Sequence, residues 1–469
     1  MKRRKSALEP IFNPKSIAVI GASDNPGKLG FHVMKSLTQG GYSGNLFPVN
    51  PGKNTLFGIK AFPSLLQVPQ GVDLSIIVLP AELVPKTIEE CHDRGVKGII
   101  LITAGFKEIE DRKGELLQRE VTGLANRFRI PIIGPNTFGI INLPLSLNAS
   151  FTPEFSLLKK GGISFVSQSG GMSHLMGFLA MEHHLGMSKI IGLGNRCNVD
   201  FADMVEYLAE DRDTEVISMY LEGIDDPRKL LKIARRVGRR KPLVAFKVGR
   251  SRTSDRASRL HTGSLAGSHA VYEGALRQGG ILTVGSSEEL LDTAKALMLS
   301  PLPGGNRVAV LSGQAGPGMA ACDACEAAGL SIPSFSPEVQ KKINRLLPPL
   351  AIRTNPVDMG PAWYNAEATQ GIVSAVLEDK AIDGILLMIM FASANRSAVG
   401  TLKDLLLSRN YKKPVLCCFC SPGKIWEEET GILEDAGVPN YPTPERATRA
   451  FANLFRFRKI RERSHERTS

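Results

Sequence analysis

Ser16-Ile17-Ala18-Val19-Ile20-Gly21-Ala22-Ser23-Asp24-Asn25-Pro26-Gly27-Lys28-Leu29-Gly30 runs from a β-branched apolar stretch into a Gly-rich turn and then a helical pattern. A strand apolar at every position, rather than at alternate ones, is buried on both faces, the habit of a parallel sheet covered by helices. Glycines in the following turn let the backbone bend sharply or approach a ligand, and the helix behind it offers free amides and a positive dipole end. A phosphate-bearing ligand suits such a turn.

The same grammar returns twice. Ile163-Ser164-Phe165-Val166-Ser167-Gln168-Ser169-Gly170-Gly171 and Val308-Ala309-Val310-Leu311-Ser312-Gly313-Gln314-Ala315-Gly316-Pro317-Gly318 each join an apolar strand to a Gly-rich turn and a helix. Apolar runs at 17–20, 46–49, 74–79, 98–103 and 131–133 predict a first set of strands. Runs at 163–167, 190–193, 216–221, 243–248 and 281–284 predict a second set, and 308–311, 384–391 and 414–420 a third. Helical patterns such as 84–94, 112–127 and 445–456 lie between and after them. Strands alternating with helices at this density predict an α/β protein of three consecutive doubly wound parallel sheets. Periodicity lapses over 143–160, with two prolines and adjacent lysines, which reads as a linker, and again over 300–306. The expected domains are 8–142, 160–300 and 305–460.

The length of 469 residues accommodates three such domains, each of roughly 150 residues. Hydrophobic residues at 43% and charged residues at 22% exclude a disordered chain. The longest apolar runs, such as 385–392, fall far short of the roughly 20 residues that cross a bilayer, so no membrane span is expected. After the basic Lys2, Arg3, Arg4 and Lys5 come Glu9, Pro10, Asn13, Pro14 and Lys15, where a signal peptide would need an apolar core; a cytoplasmic location is expected. The 7 cysteines are too few and too odd in number for a disulfide framework. Cys322 and Cys325 form a C-x-x-C without a second pair, and all seven are expected to be small buried residues, with no metal site. Much of the net charge of +12 sits at the two ends of the chain. Arg235, Arg236, Arg239, Arg240 and Lys241 cluster at an expected helix end without interleaved aromatics, so nucleic acid is not an expected partner. Small polyanions stay open as ligands.

The first turn lacks the G-x-G-x-x-G spacing, and the second strand runs into Pro48-Val49-Asn50-Pro51-Gly52-Lys53, where a dinucleotide-binding fold usually places an acid for the ribose. No G-x-x-x-x-G-K-[ST] occurs anywhere. Three anion cradles without a P-loop indicate phosphate handling of another kind. The long polar stretch 249–267, GRSRTSDRASRLHTGSLAG, carries a single histidine, His261. An imidazole of ordinary pKa, about 6.5, is mostly neutral at cell pH and can attack a phosphoryl group, though an isolated loop histidine is more often merely polar.

The motifs together resemble the α subunit of NDP-forming acyl-CoA synthetases, especially ADP-forming acetate:CoA ligase, with succinyl-CoA synthetase α more distant. The resemblance runs from about Pro10 to Arg456, and the matching strings, in order, are 16–23 (SIAVIGAS), 48–53 (PVNPGK), 102–106 (ITAGF), 134–142 (GPNTFGIIN), 167–171 (SQSGG) and 261–267 (HTGSLAG). The resemblance implies a Rossmann-like coenzyme A-binding domain followed by two flavodoxin-like domains. It implies that His261 becomes phosphorylated and that Glu222 orients it. Ser169, Gly170 and Gly171 would hold phosphate, with Gly316 and Gly318 as a second helix dipole. Coenzyme A would lie across Gly21, Ala22, Ser23, Lys53, Ile102, Thr103 and Ala104. The implied ligands are coenzyme A, phosphate, an acyl-CoA or carboxylic acid, and ADP or ATP with Mg2+ on a separate ATP-grasp β subunit, hence a hetero-oligomer. Thr137 stands where relatives commonly have cysteine, Cys197 replaces a small residue, and the third cradle is altered. His174 stands where succinyl-CoA synthetase α has a tyrosine near substrate, so the acid need not be succinate or acetate. A CoA-binding regulator that has lost turnover, or an NAD(P)-dependent oxidoreductase, remains as an alternative.

Overall fold

The computed structural model describes residues 6–466 except 70, 110, 252, 255–268, 363–364, 409–411 and 424. They form an α/β protein with three mostly parallel sheets. The chain divides into two compact units, Met1–Gly285 and Ser286–Ser469.

The first unit holds two sheets. In the first, the strands lie in the order Asn45–Val49, Ser16–Ile20, Leu74–Ile77, Gly98–Leu101, Ile132–Ile133, all parallel. Ile17, Val19, Ile76 and Ile100 enter one apolar cluster while Ala18, Ile20, Ile77, Ile99 and Leu101 enter another. Both faces are therefore covered, which is why these runs are apolar without alternation. In the second sheet the order is Leu282–Val284, Leu243–Lys247, Val216–Leu221, Lys160–Ser167, Met187–Gly192, Gly139–Asn142, Leu147–Ser150. Five of these strands are parallel, and the last two join antiparallel. Val166, Ile191, Ile217 and Met219 share a core cluster with Ile17 and Val19 of the first sheet.

Those last two strands correct the linker reading of 143–160 and add an antiparallel edge to the parallel sheet. Leu147–Ser150 is buried at every position. Its polar residues are satisfied locally: the Asn148 side-chain amide donates to the Thr152 carbonyl at 3.0 Å and the Ser150 hydroxyl to Asn148 Oδ1 at 2.7 Å. A polar strand paired this way carries no apolar signature to read.

The second unit has one parallel sheet ordered Val357–Asp358, Val308–Ser312, Gly384–Met390, Val415–Cys420. Helix Pro444–Glu466 closes it, and Arg446 forms a two-pronged pair with the buried Asp292, 2.7 and 2.8 Å. The cysteine reading needs amendment at two positions: Cys420 is exposed and Cys322 half-buried, while the other five are buried. Among the described residues no helix is long and apolar enough to cross a membrane.

In each sheet the strand that leads into the Gly-rich turn stands beside the third parallel strand, with the second on its other side. Connections leave these two neighbours in opposite directions, which opens a crevice beyond their carboxyl ends. All three Gly-rich turns follow such a strand.

Candidate active site

The turn after Lys160–Ser167 is fixed by short-range hydrogen bonds. The Ser167 hydroxyl donates to the Ser169 carbonyl at 2.9 Å and accepts the Ser169 amide at 3.1 Å. Ser169 caps helix Gly170–Glu182, its hydroxyl accepting the Met172 amide at 3.3 Å. The capped third position leaves Gly170 and Gly171 to lead the helix with the amides that have no intrahelical partner. The buried Gln168 ties this turn to the neighbouring strand end, its side-chain oxygen accepting the amides of Glu222 at 2.7 Å and Gly223 at 3.0 Å.

Opposite stands the first sheet. Gly21 has φ +93°, and a Cβ there would lie 2.3 Å from the Val78 carbonyl oxygen, so only glycine fits. The Asn50 side chain donates to the Ala22 carbonyl and accepts the Gly52 amide, both at 2.8 Å, so the residue that stands in place of a ribose-reading acid shapes the turn. The Ser23 hydroxyl accepts the Asn25 amide at 3.0 Å. The exposed Lys53 ammonium lies 2.7 Å from Asp24, and this bond holds the Asp24 carboxyl below its ordinary value. The Thr103 hydroxyl donates to the Leu79 carbonyl at 2.7 Å, and its carbonyl accepts the Asn136 amide at 2.8 Å, which locks two turns together.

A cleft of about 380 Å3 opens between these elements. Of the residues expected from sequence, Ile102, Ala104, Ser169, Gly170, Gly171, His174 and Glu222 line it, as does Leu29, the first residue of the helix behind the Gly21 turn. Gly21, Ala22, Ser23, Lys53 and Thr103 are not among its lining residues. His261 lies outside the described residues. Gly316 and Gly318 belong to the second unit, where helix Ala315–Ala327 starts at Gln314 without a side-chain cap. There the Ser312 hydroxyl donates to the Gln314 carbonyl at 2.6 Å, the same device as at Ser167.

Sequence reasoning missed two cations of the cleft, Lys107 and Arg196. Arg196 is buried at φ +59°, with its guanidinium on Asp200 at 3.1 Å, Asp225 at 3.0 Å and the Gly223 carbonyl at 3.2 Å. Burial, and then the Arg196 charge, push the Lys107 ammonium down from its usual value, while Asp225, Glu108 and Asp200 pull it back up. Burial raises the Asp200 carboxyl, and Arg196 opposes it. The signal available was the charge in GNRCNVD at 194–200. Its neighbour Cys197 is inert, since burial pushes its thiol up to about 12. Thr137 is structural: its hydroxyl donates to the Gly192 carbonyl at 2.5 Å and accepts the Gly139 amide at 3.0 Å. Among the described residues no cluster of three or more His, Cys, Asp and Glu is placed to hold a metal ion.

Residues 15–142 match the CoA binding domain family, 160–297 the succinyl-CoA ligase like flavodoxin domain and 308–453 the ligase-CoA domain. The ADP-forming acetate-CoA ligase I of Archaeoglobus fulgidus is 39% identical over 463 residues, 97% of this chain and 64% of that protein. The α subunit of ADP-forming acetate-CoA ligase II of Pyrococcus furiosus is 38% identical over 443 residues, 93% of this chain and 95% of that subunit. This chain thus spans somewhat under two thirds of the first relative and nearly all of the second. Among solved structures, the dinucleotide forming acetyl-coenzyme A synthetase 1 of Ca. Korarchaeum cryptofilum, in complex with phosphate and ADP, aligns with a TM-score of 0.89 and 33% identity, over 98% of this chain and 99% of that one. With this coverage, the chain belongs to the NDP-forming acyl-CoA synthetase family and corresponds to its α subunit.

Proposed function

We propose that the protein is the α subunit of an ADP-forming acyl-CoA synthetase, interconverting acyl-CoA, ADP and phosphate with carboxylic acid, coenzyme A and ATP. The observation that carries this reading is the convergence of Ile102 and Ala104, Ser169, Gly170 and Gly171, and Glu222 on one cleft. Coenzyme A lies across Gly21, Ala22, Ser23 and Lys53 and reaches the cleft at the turn Ile102, Thr103 and Ala104. A phosphate oxygen attacks the thioester carbonyl; the C–O bond forms, the C–S bond breaks, and coenzyme A leaves as the thiol after taking a proton. The helix amides at Gly170 and Gly171 meet the charge on the resulting acyl phosphate. The imidazole of His261 then attacks phosphorus, forming P–N and releasing the carboxylate, with Glu222 accepting the other ring N–H. His261 carries the phosphoryl group to ADP, which with Mg2+ belongs to an ATP-grasp β subunit, the two chains forming a hetero-oligomer in the cytoplasm. Gly316 and Gly318 give a second helix dipole for the travelling phosphoryl group. The functional division is 8–142 for coenzyme A, 160–300 for phosphoryl transfer and 305–460 for the third domain.

Incubation of the chain alone with labelled acetyl phosphate tests the reading. Acid-labile, alkali-stable label is expected on the wild type and none on His261→Asn. Label that persists in His261→Asn assigns the acceptor role to another residue and overturns the reading of His261.

A further inference from the structure

The cleft holds an amine that the reaction above does not use. Lys107 follows Ala104 by three residues and lines the cleft together with Ala104, Gly170, Gly171 and Glu222. Its turn is pinned. Gly105 has φ +106°, and the Glu108 carboxylate folds back to accept the amides of Gly105 at 2.6 Å and Phe106 at 3.1 Å. The other Glu108 oxygen accepts the side-chain amide of the buried Asn195 at 2.5 Å. The Lys107 ammonium itself forms no hydrogen bond or ion pair among the described residues. The three carboxylates that act on it from nearby are engaged elsewhere: Glu108 on its own turn, Asp200 and Asp225 on the Arg196 guanidinium at 3.1 and 3.0 Å. Burial, and then the Arg196 charge, hold the ammonium below its ordinary value against the pull of Asp225, Glu108 and Asp200. A larger share of Lys107 than of an exposed lysine is therefore the neutral amine, the form that attacks acyl carbon.

On the ligase reading above, on which this inference rests, the acyl thioester enters the cleft past Ala104 and phosphate attacks it from Gly170 and Gly171. We propose that Lys107 is an acylation site, modified by the acyl-CoA bound in its own cleft when phosphate is absent. Nζ attacks the thioester carbonyl as the free amine; the C–N bond forms, the C–S bond breaks, and the proton of the amine leaves with the coenzyme A thiol, so that an amide remains. Phosphate opposes the step twice. It competes for the same carbonyl carbon, and its negative charge favours the ammonium form of Lys107, which cannot attack. The amide removes a positive charge and fills part of a cleft of about 380 Å3, so it disfavours the anions that the site handles. Acylation thus takes the subunit out of use where acyl-CoA accumulates without phosphate.

Incubation of the full chain with acetyl-CoA, followed by peptide mass spectrometry, is the test. Lys107 is expected to gain an acetyl group faster than the exposed Lys86 and Lys232 by about tenfold or more, because a bound donor replaces a bimolecular encounter. Inorganic phosphate is expected to slow Lys107 and leave Lys86 and Lys232 unchanged. In urea above the unfolding midpoint the three lysines react alike. Because every readout compares residues within one wild-type preparation, no variant has to fold. Acetylation of Lys107 at the rate of the exposed lysines, or a faster rate that phosphate leaves unchanged or that survives unfolding, overturns the proposal. Calorimetric binding of coenzyme A and labelling of His261 by acetyl phosphate then leave the ligase reading standing. Failure of the chain to bind coenzyme A at all overturns the ligase reading and this inference with it.

Discussion

Glu222 is anchored by its own backbone: its amide donates to Gln168 at 2.7 Å, so the carboxylate enters the cleft from a fixed point on the end of strand Val216–Leu221. A carboxylate so placed can accept one imidazole N–H and stabilise the positive charge that grows on the ring as its other nitrogen attacks phosphorus. Glu222→Gln keeps the size and loses that charge. Labelling by acetyl phosphate is expected to slow by about tenfold or more, within the range that positioned acid–base groups contribute. Measured with binding of inorganic phosphate as the control, an unchanged rate would remove Glu222 from this role. Glu222 was named through the resemblance, at the position that directly follows an apolar strand. Gln168 and Arg196 were not, since Gln168 matters only once Val216–Leu221 pairs beside Lys160–Ser167, and Arg196 only once 193–200 folds back onto Gly223.

At the scale of elements, the turn and helix after strand Ser16–Ile20 pack too closely for any side chain at two points. A Cβ on Gly30 would stand 2.0 Å from the Gly21 carbonyl oxygen, which is backbone and cannot swing away. Gly30→Ala is therefore expected to destabilise the protein by about 1–3 kcal/mol through overpacking, despite alanine's better helix propensity. A urea midpoint equal to the wild type, at unchanged slope, refutes this. Strands apolar throughout, such as Ser16–Ile20 and Val216–Leu221, were readable because both of their faces are buried. Gly139–Asn142 and Leu147–Ser150 were not: the buried Asn142 side-chain amide donates to the Phe12 carbonyl at 2.7 Å, a partner 130 residues away, and no local pattern announces such a bond.

For the whole molecule, the decisive feature is that in all three sheets the strand before the Gly-rich turn lies between the next two parallel strands, which sets each turn beside a switch point. On the proposed two-chain reading, purified chain supplied with ATP, carboxylic acid and coenzyme A is expected to make no acyl-CoA until a second polypeptide is added. Acyl-CoA formed by the chain alone, followed as thioester absorbance, would overturn the proposed two-chain arrangement.

The α/β class, most strands and the three Gly-rich turns were determined by the sequence itself, because burial on both faces and sharp turns constrain residues locally. The resemblance of ordered motifs named the family for the same reason: each string is a local requirement. Only the tertiary structure decided that Ala104, Glu222 and the Ser169 turn line one cleft, that Lys107 and Arg196 join them, and that four phenylalanine rings gather at His174. Such convergence depends on which strands become neighbours, and hydrogen bonding between segments far apart in the chain leaves no periodicity in either one.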